Sequence, residues 1–259
     1  MKHQGSHALP EPLASPHRPD TDAPRDAYLR RRGEIQTYFD RTAAATWARL
    51  TSDAPVSRIR ETVRAGRDRM RATLLSWLPH DLNGLRLLDA GCGTGALATE
   101  AARRGAQVLA IDLSPTLVDL GRQRCRQEAD AELLCERIVW RSGDMRAPDD
   151  GAFDHVVAMD SLIHYSPNDA AALLEGWAGR VRHGILFTVA PRTPLLAGMH
   201  AVGRLFPRGD RAPAIVPVGV DGLRRGLAQR LPGWQQARTE RIASGFYTSQ
   251  ACEMARRQP

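Results

Sequence analysis

The chain has 259 residues, 42% of them hydrophobic and 25% charged, which is the composition of a globular protein with room for one α/β domain and additions. No apolar run reaches the ~18–20 residues of a transmembrane helix, and the N-terminus lacks a signal peptide's apolar h-region, so a cytoplasmic protein is expected. The net charge of +7 is concentrated: residues 27–80 carry eleven arginines against five acids, which indicates either an anionic partner (nucleic acid, a membrane surface, an acidic substrate) or a solvated helix face.

Residues 1–26 hold five prolines without periodicity and read as a disordered tail, with Asp26 placed to cap the helix that follows. Residues 27–50 read as helix, broken near Asp40. Residues 57–78 read as a second helix, with Val56, Ile59, Val63, Met70, Leu74 and Leu78 on one face, Ser57 as cap and Pro79 at the end. The two helices form a basic cap over residues 27–80, ahead of a main domain over 81–259. Strands then fit 85–89, 107–111, 138–141, 153–159 and 183–190, and helices fit 96–104, 115–129 and 168–180. Short strands alternating with helices of this length predict a Rossmann-like, mostly parallel sheet. A Pro/Gly-rich insertion follows at 192–232. Segments 234–242 and 246–255 pair as a C-terminal antiparallel hairpin around Ser244-Gly245, although Gln250 to Arg257 fits a helix equally well. The four cysteines match neither a zinc ribbon nor a C-x-x-C motif, and no protein-bound metal is expected.

The chemistry begins at Leu87-Leu88-Asp89-Ala90-Gly91-Cys92-Gly93-Thr94-Gly95. A strand ends in an acid and enters a glycine turn ahead of a helix, as nucleotide sites of doubly wound domains do. Gly91-x-Gly93-x-x-Ala96 also satisfies the relaxed dinucleotide pattern. Asp112 ends the second strand, where an acid can accept both hydroxyls of a ribose. Gly143-Asp144-Met145 follows the third strand, and Phe153 to Asp160 form the fourth, whose carboxyl end borders the reaction centre of an open sheet.

This set resembles class I S-adenosylmethionine methyltransferases. The resemblance implies that the loop of Gly91, Gly93 and Gly95, with Asp89 before it, wraps the amino-acid end of the cofactor. It implies that Leu113 lines the adenine pocket beside Asp112, that Asp144 accepts from the adenine amino group with Met145 beside it, and that Asp160 completes the cofactor set. Dinucleotide enzymes have no regular acid at Asp144, which separates the two readings.

Four further segments narrow the family: Tyr38-Phe39-Asp40, Val56 to Arg67, Asp160-Ser161-Leu162-Ile163-His164-Tyr165, and Ser244-Gly245-Phe246-Tyr247. Together they resemble the magnesium protoporphyrin IX O-methyltransferases of (bacterio)chlorophyll biosynthesis. That resemblance implies esterification of one propionate of a magnesium porphyrin. It gives catalytic roles to Tyr38 and His164, read as orienting the propionate, with His164 also able to ligate the porphyrin magnesium. It implies apolar walls from Phe39, Trp47, Leu195, Leu196, Met199 and Phe206. It further implies partnership with the magnesium-inserting chelatase and leaves peripheral membrane association open. Two alternatives stay open: a phenol or quinone-precursor O-methyltransferase, and a non-catalytic porphyrin carrier. Nucleic acid is not an expected partner, because Asp160-Ser161-Leu162-Ile163 stands where base-amine methylases carry an Asn/Asp-Pro-Pro-Tyr-type segment.

Overall fold

The computed structural model describes residues 23–43, 57–146, 151–192 and 215–257. The tail through residue 22, Trp47, Val56 and the insertion residues Leu195, Leu196, Met199 and Phe206 lie outside them. Helix α1 (Ala23–Thr37) runs into one π-helical turn (Tyr38–Ala43), and α2 (Arg58–Trp77) follows. The main domain then alternates β1 (Arg86–Ala90), α3 (Ala96–Arg103), β2 (Gln107–Asp112), α4 (Pro115–Cys125), α5 (Ala131–Arg137), β3 (Ile138–Ser142), β4 (Phe153–Ala158), a 3₁₀ turn (Leu162–His164), α6 (Pro167–Ala178) and β5 (Val181–Val189). It closes with α7 (Val220–Arg230), β6 (Trp234–Ser244) and β7 (Tyr247–Arg256).

The strands form one seven-stranded sheet in the order β3-β2-β1-β4-β5-β7-β6. The first five are parallel; β7 runs antiparallel to β5, and β6 antiparallel to β7. Side chains alternate across a strand, so each central strand feeds two cores. Leu88 and Ala90 of β1 pack with Tyr28 of α1, Trp177 of α6 and Leu227 of α7. Leu87, on the other face, packs with Met70 and Leu74 of α2, Leu97 of α3 and Leu134 of α5. With both faces covered, β4 is buried along its whole length, as a central parallel strand should be.

Several expectations needed correction. Helix α1 starts three residues before Asp26, which therefore sits inside the first turn and complements the helix dipole instead of capping it. The break near Asp40 is a π-helical turn. Ser57 occupies the N-cap of α2 but makes no side-chain capping bond. Ile59 is 54% exposed, whereas Met70 and Leu74 are buried, so only the later turns of α2 reach the core. The helix expected over 115–129 ends at Cys125, and a separate short α5 follows. The stretch 192–232 contains α7. The C-terminal segment is strand, not helix, and its hairpin turns one residue later than expected, through Gly245-Phe246 with Ser244 opposite Tyr247. No described helix is long and apolar enough to cross a membrane.

His155 of β4 is buried, and its Nδ1 has no hydrogen-bond partner among the described residues. Burial, assisted by neighbouring His183 and opposed by Asp154 and Glu253, lowers its pKa to about 4. Imidazole in the unfolded chain titrates near ~6.5. The neutral ring therefore contributes stability that is present above that value and is lost as pH falls through about 4. Urea unfolding between pH 7 and 4.5 should show an acid-sensitive component of about 2 kcal/mol that His155→Gln lacks.

Candidate active site

The site lies along the carboxyl edge of β1, β2, β3 and β4, where the backbone must leave the sheet and turn. Gly91, Gly93 and Gly95 all have positive φ, at 82°, 55° and 77°. At Gly95 an added Cβ would run into the Trp140 ring, and at Gly91 the approach involves the end of β4. A Cβ there would run into the side chain of Ser161, which is itself held by donating to the Ala90 carbonyl at 2.8 Å. The glycine loop and the end of β4 thus approach to backbone-contact distance, which only glycine permits.

The four acids of this edge have different surroundings. Asp112 accepts from the Gly93 N–H at 2.8 Å and the Ser114 N–H at 2.9 Å, so it shapes the loop as well as facing it. Its pKa is raised by burial, partly countered by those N–H donors and raised further by Asp40. Asp144 accepts from the Tyr28 hydroxyl at 2.8 Å and from Arg32 at 3.2 Å, both on α1. Tyr28 is itself buried, stacked on Tyr165 and covered by the Arg146 guanidinium 3.7 Å from its ring centre. Asp160 engages only protein groups: Arg67 at 2.7 Å, with Tyr247, Ser249 and Thr188 hydroxyls at 3.1–3.3 Å. Asp89 differs from the rest. It is buried, and its Oδ2 has no partner among the described residues. Burial first and the Asp112 charge second push its pKa up to about 7.

Leu113 is partly buried against the core, and Met145 is fully buried with its carbonyl accepting from the Trp177 indole at 3.0 Å. Tyr38 and His164, expected as a catalytic pair, flank Phe39. The Tyr38 ring meets Phe39 edge-on at 5.2 Å, and Phe39 meets His164 at 5.8 Å. The π-helical turn that carries Tyr38 is tied down by the Ser114 hydroxyl, which donates to Asp40 at 2.5 Å. Burial raises the Tyr38 pKa, so its phenol stays a hydrogen-bond donor. The returning end of the insertion also reaches this edge, through a bond from the Val216 N–H to the Ile163 carbonyl at 2.8 Å.

Tyr28, Arg32, Arg67 and Ser249 were not anticipated as members of this edge. In the sequence they are an ordinary helical Tyr, two arginines among many and a strand Ser. Only the pairing of distant segments distinguishes them.

Comparison with known proteins follows the same outline. Residues 158–256 match the family described as "Magnesium-protoporphyrin IX methyltransferase C-terminus", and residues 87–184 match a "Methyltransferase domain". The chain is 46% identical over 227 residues to the magnesium-protoporphyrin O-methyltransferase of Rhodobacter capsulatus, which covers 87% of this chain and 97% of that protein. It is 28% identical over 226 residues to the Synechocystis enzyme of the same name, covering 86% and 95%. A crystal structure of magnesium protoporphyrin IX methyltransferase from Synechocystis PCC 6803 with bound SAH superimposes with a TM-score of 0.74 at 27% identity, covering 86% of this chain and 98% of that one.

The contact between Gly91 and Ser161 is open to a direct test. Gly91→Ala combines an unfavourable positive φ with a clash against Ser161, and should destabilise the fold by about 1–3 kcal/mol while weakening SAH binding. Adding Ser161→Gly should remove the clash but not the backbone cost. Thermal unfolding and calorimetry on the single and double variants should show partial, not full, recovery.

Proposed function

The chain belongs to the magnesium-protoporphyrin O-methyltransferase family, and we propose that it esterifies one propionate of magnesium protoporphyrin IX in (bacterio)chlorophyll biosynthesis. The carrying observation is that the relationship runs through nearly the whole chain, cap and hairpin included, and not only through the cofactor domain. The protein is an S-adenosylmethionine-dependent methyltransferase. The residues fit that cosubstrate. The buried Asp89 oxygen, without a donor among the described residues, suits an ammonium group, and Gly91 lets the loop backbone close against Ser161 beside it.

In this reading Asp89, Gly91, Gly93 and Gly95 hold the amino-acid end, Asp112 the ribose, and Leu113, Asp144 and Met145 the adenine. S-adenosylmethionine, when bound, supplies a sulfonium methyl that the propionate oxygen takes while sulfur keeps the bonding pair. A carboxylic acid titrates near ~4, so the acceptor is ionised at pH 7 and no side chain has to remove a proton. Catalysis then rests on alignment and exclusion of water, which can supply roughly 7–11 kcal/mol. Tyr38 donates a hydrogen bond to the propionate, and His164, which like Tyr38 packs on Phe39, orients it. The expectation that His164 ligates the substrate's magnesium is compatible with the same placement. Exposed Arg58, Arg60 and Arg69 on α2 support an anionic contact beyond the substrate, such as the chelatase subunit or a membrane surface, for an enzyme working in the cytoplasm.

Incubation with labelled S-adenosylmethionine and a panel of porphyrins, with and without magnesium, tests the reading. A single added methyl on the magnesium porphyrin, released by mild alkali, is expected. An alkali-stable methyl on a phenol or quinone precursor would replace the reading. Asp112→Ala removes an acceptor and the anchor of the Gly93 N–H, and should weaken cofactor binding by about tenfold to a hundredfold, the worth of ~1.5–3 kcal/mol.

A further inference from the structure

We propose that Asp160 is a positioning residue: it latches helix α2 and the β6–β7 hairpin to the reaction edge and does not bind the cofactor. The inference rests on the acceptor reading above.

Its backbone is the first indication. Asp160 has φ of 54°, the only positive φ at a non-glycine among the described residues. Such a conformation persists where surrounding contacts over-determine it, and such sites cluster at functional edges. The contacts are plain. A carboxylate offers about four acceptor sites, and four protein donors take them: Arg67 from α2, Tyr247 and Ser249 from β7, and Thr188 from β5. The Asp160 N–H also donates to the Thr188 hydroxyl at 2.7 Å. The Asp160 side chain is only 7% exposed and that of Arg67 19%. Little acceptor capacity is left for a ligand.

What the latch holds is equally specific. Gly66, beside Arg67, lies so close to Tyr247 that an added Cβ would stand 2.5 Å from the ring. One turn earlier, a Cβ on Gly245 at the hairpin tip would stand 2.5 Å from the Thr62 hydroxyl. Helix α2 and the hairpin therefore interlock, and Asp160 ties both to the end of β4. The next residue, Ser161, abuts Gly91, and the 3₁₀ turn with His164 follows directly. Slack at Asp160 would displace α2 and His164 on the acceptor side, while Asp89, Asp112 and Asp144, which Asp160 does not touch, keep their own partners.

The test uses the full chain with Asp160→Asn, Arg67→Met, the double variant and Arg67→Lys. Asn tolerates the left-handed backbone and keeps one acceptor oxygen, so the substitution removes the charge and turns one acceptor into a donor without adding backbone strain. Steady-state kinetics with magnesium protoporphyrin, calorimetry with SAH and hydrogen exchange of α2 amides are read together. Each of Asp160→Asn and Arg67→Met should raise the porphyrin KM or lower kcat by about tenfold and speed α2 exchange, with SAH affinity kept within about twofold and the double variant little worse than either single one. Arg67→Lys should recover part of the loss. Should Asp160→Asn fail to fold, the two Arg67 variants decide. SAH binding weakened about tenfold with unchanged α2 exchange would make Asp160 a cofactor ligand and overturn the latch, as would additive effects of the two substitutions. If the wild-type chain does not methylate the porphyrin, the acceptor reading falls, and exchange and SAH binding still decide the latch.

Discussion

A parallel sheet delivers the carboxyl ends of its strands to one edge, and in this chain four of the five, those of β1 to β4, carry or lead directly into an acid. Asp89, Asp112, Asp144 and Asp160 belong to four adjacent strand ends, and like charges gathered in this way oppose one another's ionisation. The fold has to supply a partner for each. It does so for three: backbone N–H groups for Asp112, Tyr28 and Arg32 for Asp144, Arg67 and three hydroxyls for Asp160. Asp89 is left with one oxygen unanswered, in a buried setting and beside Asp112. Of the four acids of the edge, Asp89 is thus the one whose charge the described residues answer least.

Three of the partners, Tyr28, Arg32 and Arg67, come from the N-terminal helices, which changes the meaning of the chain's basic segment. Its arginine surplus is in part internal: Arg32 and Arg67 answer acids of the sheet. The π-helical turn is tied down differently: its Asp40 accepts from the Ser114 hydroxyl and adds a like charge beside Asp112. The cap is thus tied to the sheet edge at Asp144, Asp160 and Ser114, and Tyr38 and Phe39 ride on it.

The sheet was legible because each central strand is a short apolar run and each glycine turn stands directly after one. Asp112 and Asp144 were legible because they sit at fixed distances from strands. The failures have physical causes. Helix α5 is only seven residues and follows a polar break, too short for a periodic signal. Helix α7 contains Gly222 and Gly226, both poor helix formers, yet buries Leu223 and Leu227 against the core. Ile59 obeys the helical period, but the core ends before it does. The bonds of Asp160 to Arg67 and Tyr247 were not legible because those partners come from residues far away in the sequence, a pairing that no local pattern reveals.

The strand order also bears on how the chain is made. Strand β7 is the last of the seven to be synthesised, yet it lies between β5 and β6, both made earlier. Until it emerges, β5 presents an open, apolar edge and β6 has no neighbour. Exposed strand edges of this kind invite misassociation during synthesis. The sheet cannot be finished progressively from one end, and pairing across such separations is slow. A nascent chain stalled short of residue 247 would hold a nearly complete nucleotide edge without Tyr247, and would be a substrate for chaperones before it could be an enzyme.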